Sequence, residues 1–205
     1  MTLCDIGNTT ADILENGLRR KIPLTEFDPE SFECEVWYAN VNRALDEKVE
    51  NLPHWHTIST LIERDKYYPT MGIDRILVCE AIEDGVIVDA GSAITVDVMS
   101  DGIYEGGFIS LGLRSAHEAY GRLSPALDVS FNFEVDLDKM AKNTPDSVTI
   151  GFLAPLVHEI QRVNKPIYLT GGDAPIFARY FTDAIVDEIL VFKGMQKLIN
   201  KGSKC

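Results

Sequence analysis

The sequence holds no apolar run near the ~20 residues a membrane span needs. Its start has no basic stretch followed by an apolar core, so neither a membrane span nor a secretory signal is expected. Cysteine is scarce: four residues, Cys4, Cys34, Cys79 and Cys205, with no C-x-x-C pair. That pattern offers no disulfide framework and suits a reduced cytoplasm. Positive charge is short as well, with 19 Lys and Arg against 32 Asp and Glu, a formal net charge of −13. An acidic surface repels phosphate backbones, which argues against nucleic acid and anionic membrane as partners. The G-x-x-x-x-G-K-[ST] loop and the G-x-G-x-x-G fingerprint are missing, and so is the G-x-S-x-G elbow of a serine hydrolase. A nucleotide site in this chain would have to use β-hairpins.

What is present is ordinary globular material: 205 residues, 45% hydrophobic and 25% charged. That length makes one large domain or two small ones. Residues 2–6 read as a buried strand, followed by a second over 11–14 that Glu15-Asn16-Gly17 turns into 18–24. A strand is expected over 33–40 and a helix over 41–51, stopped by Pro53. Ile73, Ile76, Leu77 and Glu80 give helical spacing over 73–82. Residues 86–90 read as a buried strand, 93–99 and 103–109 as a hairpin about Ser100-Asp101-Gly102, and 111–123 as a helix. Residues 131–143 are polar and irregular, a candidate loop or lid. Thr144 suits an N-cap and Pro145 the first position of the helix that follows. A strand over 166–169 precedes Thr170-Gly171-Gly172-Asp173, and the tail from Lys201 is expected to fray. Strands alternating with helices make an α/β chain.

One device occurs twice. Asp5-Ile6-Gly7-Asn8-Thr9 and Asp89-Ala90-Gly91-Ser92-Ala93 each close an apolar strand with Asp, any residue, Gly and a small residue. One such turn is common in proteins; two in the same setting point to a duplicated ligand loop. Glycine admits a ligand close to the backbone, and N–H groups with Asn8, Thr9 and Ser92 can cradle phosphate oxygens. A carboxylate beside phosphate needs a cation between them, so Asp5 and Asp89 are candidate cation ligands.

Thr170-Gly171-Gly172-Asp173-Ala174 opens a helix after a strand, a setting that suits a nucleotide's ribose or phosphate. In Tyr67-Tyr68-Pro69-Thr70-Met71-Gly72-Ile73-Asp74-Arg75, Asp74 and Arg75 start a helix. Asp74 there is either an N-terminal helix residue or an acceptor of a hydroxyl proton, and Arg75 is either solvated or a binder of carboxylate or phosphate. His54 and His56 lack an evident third ligand, which favours packing over metal binding. His117 and His158 carry no nucleophile signature.

Five stretches together carry a family resemblance: DIGNT from Asp5, YYPTMGIDR ending at Arg75, DAGSAITVD from Asp89, EGGFISLGL from Glu105 and TGGD from Thr170. The chain resembles bacterial type III pantothenate kinase, of the actin, hexokinase and heat-shock ATPase superfamily. The resemblance implies two duplicated ribonuclease H-like, actin-like α/β halves facing across a cleft, here residues 1–84 and 85–205, and a cytoplasmic homodimer. It implies ATP-dependent phosphorylation of pantothenate to 4′-phosphopantothenate, the first step of coenzyme A biosynthesis. Asp74 matches the general base. Tyr68 (or Tyr67), Gly72, Ile73, Asp74, Arg75 and Thr144 match the pantothenate segment. Asp5, Ile6, Gly7, Asn8, Thr9, Thr10, Ala11 and Asp12 match the first phosphate segment. Ser92, where the family usually has threonine, and Gly171 and Gly172 match further ATP contacts. Asp89 matches the ligand of a monovalent cation, K+ or NH4+, and Mg2+ accompanies ATP. The alternatives are a kinase of another small hydroxyl metabolite and a non-catalytic ATP-binding regulatory protein of the same fold.

Overall fold

The computed structural model describes residues 1–202, in two compact units. The first unit holds a sheet of β1 (Thr2–Ile6), β2 (Thr10–Glu15), β3 (Leu18–Pro23), β4 (Val36–Asn40) and β5 (Trp55–Thr57), ordered β3-β2-β1-β4-β5. The second sheet contains β6 (Gly85–Ala90), β7 (Ala93–Ser100), β8 (Ile103–Leu111), β9 (Ile167–Thr170) and β10 (Ile185–Val186), ordered β10-β9-β6-β7-β8. Read from the other edge, the second order repeats the first. In both, the first strand pairs antiparallel with the second and parallel with the fourth.

The turns repeat too. Asn16-Gly17 joins β2 to β3, and Asp101-Gly102 joins β7 to β8. All four residues have positive φ, from 49° to 80°. Two consecutive residues of that hand match the right-handed twist of the strands they connect, and Asn-Gly and Asp-Gly pairs supply them at least cost.

Alternation decides the faces. In the first unit Cys4, Ile6, Ala11, Ile13, Val36, Tyr38 and Trp55 form one buried cluster with Phe27, Phe32 and Val49. Helices α2 (Ile73–Ala81) and α6 (Leu190–Gly202) pack together and against β4 and β1. In the second unit β6, β7 and β9 pack with α3 (Leu113–Leu123), α4 (Thr144–Arg162) and α5 (Ala174–Phe177) around Val88, Ile94, Leu153, Ile160, Leu169 and Phe177.

Several expectations need correction. The N-cap before α4 is Asn143, whose side chain accepts from the Asp146 N–H at 2.9 Å; Thr144 is the first helical residue. The helix expected over 41–51 is a 3-10 turn, Arg43–Leu45, followed by the short α1 (Asp46–Glu50). The Asn40 side chain bonds the Asn42 carbonyl and Asp46, and Asn42 caps the turn; such local side-chain bonds compete with a continuous helix. Residues 131–143 contain no helix or strand, yet they are tied down: Phe131, Phe133 and Leu137 pack on the second core, and Phe131 stacks on Phe152 at 5.5 Å. Helix α6 belongs to the first unit, as do Gly102–Tyr104. Of the tail expected to fray, Lys201 and Gly202 are helical, and Ser203, Lys204 and Cys205 lie outside the described residues.

Candidate active site

In the first unit, β1 delivers Asp5 to a hairpin turn. The Gly7 N–H donates to the Thr10 carbonyl at 2.9 Å, with exposed Asn8 and Thr9 between them. The loop is tied at both sides: Leu24 N–H donates to the Thr9 carbonyl at 3.0 Å and Val41 N–H to the Ile6 carbonyl at 3.0 Å. Cys4 and Ile6 point into the core, so by alternation Asp5 takes the opposite face. Its cross-strand partner is Asp12. The Arg19 guanidinium forks onto Asp12 at 2.5–3.0 Å, and the Lys21 ammonium lies 3.8 Å away. Asp12 is therefore engaged by cations from β3, which offsets the cost of two carboxylates facing each other across a ladder. Burial, with Asp5 and Asp12 adding to it, pushes the Cys4 thiol far above its ordinary range and leaves it unreactive.

The segment expected to hold the substrate lies in the same unit. Gly72 is the N-cap of α2, and Asp74 stands in its first turn with its Oδ1 accepting from the Arg75 N–H at 2.9 Å. A Cβ on Gly72 would collide with that oxygen. Glycine is thus what lets the carboxylate sit against the backbone. Arg75 is only 6% exposed. It donates to the Tyr68 hydroxyl at 2.5 Å and to the Tyr104 hydroxyl at 3.4 Å. The two candidate tyrosines part company here. Tyr67 is 7% exposed and donates to Glu80 at 3.1 Å, whereas Tyr68 is 38% exposed and holds Arg75.

In the second unit, β6 delivers Asp89 to a turn one residue tighter. The Gly91 N–H donates to the Ala93 carbonyl at 3.0 Å, with exposed Ser92 alone at the tip. Two glycines crowd this turn. The Gly112 N–H donates to the Ser92 carbonyl at 3.2 Å, and a Cβ on Gly112 would strike Gly91 and Ser92 backbone. Gly171 has φ +87°, and a Cβ there would strike the Ala90 carbonyl and Asp89 Oδ1. The Asp173 N–H donates to the Ala90 carbonyl at 2.9 Å. The Thr-Gly-Gly-Asp turn is thereby fastened to the Asp-x-Gly turn, joining two motifs about 80 residues apart in the chain. The helix after it, α5, has only four residues. Burial raises the Asp173 carboxyl above the usual range. Thr144 is exposed at the start of α4 and lines a concavity of about 520 Å³ with Tyr120, Lys142, Asn143 and Ser147.

The structure thus gathers Asp5 to Asp12 in one hairpin, Gly72 to Arg75 with Tyr68 at one helix start, and Asp89, Ser92, Gly171 and Gly172 around one turn. Residues not singled out from sequence join them: Tyr104 beside Arg75, and Gly112 and Ser115 on the Ser92 carbonyl. Gly112 is the next-to-last residue of the EGGFISLGL stretch; nothing local marks Tyr104. His56 pairs with Glu35 beside Trp37, and among the described residues no three His, Cys, Asp or Glu side chains gather as a metal site.

The profile of type III pantothenate kinases matches residues 8–165. A type III pantothenate kinase of Sulfurimonas denitrificans is 47% identical over 205 residues and covers both chains completely. The chain belongs to the type III pantothenate kinase family. A Campylobacter jejuni member is 39% identical over 203 residues, 98% of this chain and 97% of that one. Among solved structures, a Campylobacter jejuni protein described as a Baf family transcriptional activator superposes with a TM-score of 0.91 at 38% identity, covering 100% of each chain. A Sinorhizobium meliloti protein described as a 2-dehydro-3-deoxygalactonokinase shares the fold alone, with a TM-score of 0.54 at 8% identity over 99% of this chain and 98% of that one. Family membership makes the chain a kinase and an ATP user.

Proposed function

We propose that the protein transfers the γ-phosphoryl group of ATP to the primary hydroxyl of pantothenate, giving 4′-phosphopantothenate and ADP, the first step of coenzyme A biosynthesis. The observation that carries this reading is the helix start at Gly72, where the Asp74 carboxylate and the buried Arg75 guanidinium stand on adjacent residues within a family-typical motif. Arginine suits the substrate's carboxylate, and Asp74 its hydroxyl.

Phosphoryl transfer runs through a loose transition state in which positioning and charge neutralisation dominate. Asp74 would orient the hydroxyl and accept its proton late, as the new O–P bond acidifies it. Tyr68 rather than Tyr67 is the tyrosine of the substrate segment, since it holds Arg75 while Tyr67 is bonded to Glu80. The turns at Gly7 and Gly91 would hold phosphate oxygens through Asn8, Thr9, Ser92 and backbone N–H groups. Thr144 would complete the pantothenate contacts.

The donor set suits the implied cations. Magnesium keeps several waters and takes one or two carboxylates with substrate phosphates, a demand that Asp5 meets. The space that a Cβ on Gly171 would fill lies against a carboxylate and a carbonyl, Asp89 and Ala90, the oxygen donors that K+ or NH4+ would take. Bound there, these cations would supply charge neutralisation for the transferring phosphate. A homodimer in a reduced cytoplasm belongs to the same reading. Free Cys4, Cys34 and Cys79 support the compartment, and exposed Ile109 and Leu111 on edge strand β8 support the self-association.

Coupled detection of ADP tests the reading. ADP release that requires both ATP and pantothenate is expected. Release with another hydroxyl metabolite alone would make it a different kinase, and ATP binding without turnover would make it a regulatory protein.

A further inference from the structure

Arg75 is held by two tyrosines, Tyr68 and Tyr104, and Tyr67 packs beside them. Its Nη1 donates to the Tyr68 hydroxyl at 2.5 Å and its Nη2 to the Tyr104 hydroxyl at 3.4 Å. The Arg75 Cζ also lies over the Tyr68 ring, 5.7 Å from the centroid. The Tyr104 ring packs against both neighbours, 6.2 Å from Tyr68 and 5.7 Å from Tyr67. Tyr67 in turn donates to Glu80 at 3.1 Å, and Lys201 of α6 lies 3.2 Å from the other Glu80 oxygen. Glu80, like Arg75, is 6% exposed. A continuous set of packed and bonded groups thus runs from α6 to the arginine.

A guanidinium recognises a carboxylate through two parallel N–H groups in one plane, so its orientation matters as much as its charge. Phenol hydroxyls fix that plane without adding negative charge of their own. We propose that Tyr104 is a positioning residue for pantothenate: with Tyr68 it holds the two terminal nitrogens of Arg75 so that the fork meets the substrate's carboxylate. The inference rests on the reading of Arg75 as the carboxylate-binding residue of a pantothenate kinase. It assigns a substrate-selecting role to the first residues of β8, a segment outside the Gly72–Arg75 motif.

The test uses the full-length protein and two substrates, pantothenate and pantothenyl alcohol, which keeps the reacting hydroxyl and lacks the carboxylate. Tyr104→Phe keeps the ring and removes the hydroxyl. The expected result is a KM for pantothenate raised about tenfold, the scale of one hydrogen bond to a charged group. The kcat and the KM for ATP stay within about twofold of wild type. The preference for pantothenate over the alcohol falls by the same factor as the KM rises. Tyr67→Phe keeps the ring against Tyr104 and removes the hydroxyl bonded to Glu80, and it should leave that preference unchanged. Unchanged discrimination in Tyr104→Phe, an equal loss with both substrates, or an equal loss of preference in Tyr67→Phe would each overturn the inference. Wild-type protein that does not consume pantothenate overturns the functional reading and this inference with it; active wild type with an unmoved Tyr104→Phe overturns the inference alone.

Discussion

Gly72 stands directly over the carboxylate of Asp74: the place a Cβ would take on the glycine is the place Asp74 Oδ1 occupies. The backbone at Gly72 has φ −61° and ψ 145°, which any residue adopts. The constraint there is the space kept for an oxygen. Gly72→Ala should therefore fold with a denaturation midpoint close to wild type, because the oxygen at risk is the far end of a side chain. Its kcat should fall about 10²-fold, the cost of displacing a reacting group by about 1 Å. Asp74→Asn should lose about 10²–10⁴ in kcat while still binding ATP. Parallel measurements of turnover, nucleotide affinity and melting check both; an active Asp74→Asn would remove the aspartate from the role.

Asp89→Ala should abolish activation by potassium. The assay is turnover in potassium against sodium at constant ionic strength. Wild type is expected to slow in sodium, and the variant to run at one low rate in both. A wild-type rate indifferent to the two ions would sink the assignment of the monovalent cation to this turn.

The glycine pair at 171 and 172 should separate cleanly. Gly171 has φ +87° and no room for a Cβ, while nothing lies within 4 Å of a Cβ at Gly172. Gly171→Ala combines a left-handed backbone penalty with a clash on Ala90 backbone, about 3 kcal/mol together. Gly172→Ala should cost under about 1 kcal/mol. Chemical denaturation of the two variants decides this; equal stability would mean that the Thr-Gly-Gly-Asp turn is not fastened to β6.

Asp173 gives a pH dependence of known sign. Burial raises its carboxyl above the ordinary range, so the folded chain holds the proton more tightly than the unfolded chain does. That contribution favours the fold at low pH and is lost as pH rises through the folded value. Asp173→Asn, neutral at every pH, should be more stable than wild type at pH 7, and the difference should vanish towards pH 3. Denaturant midpoints across that range are the measurement.

Much of the architecture is legible in local sequence because local chemistry decides it. Asn16-Gly17 and Asp101-Gly102 fix two hairpins through their own backbone preferences, and the apolar runs before Asp5 and Asp89 read as buried strands because both faces are covered. The motif residues are legible for the same reason, since glycine and aspartate at turn spacing carry their chemistry with them. What stays hidden is long-range. Nothing near Tyr104 announces Arg75, 29 residues before it. Nothing near Leu190 tells that α6 returns to the first sheet. The helix over 41–51 fails for a local reason that periodicity ignores: Asn40 and Asn42 offer the backbone bonds of another kind.

The placement of α6 has a bearing on how the polypeptide matures. Gly194 lies so close to the Leu77 backbone that no side chain fits between them, so α2 gains its full packing only when α6 arrives. The second unit's residues are translated in between. At roughly 5–20 residues per second the N-terminal sheet waits on the order of ten seconds for its last layer. On the ribosome, the half begun first is the half finished last.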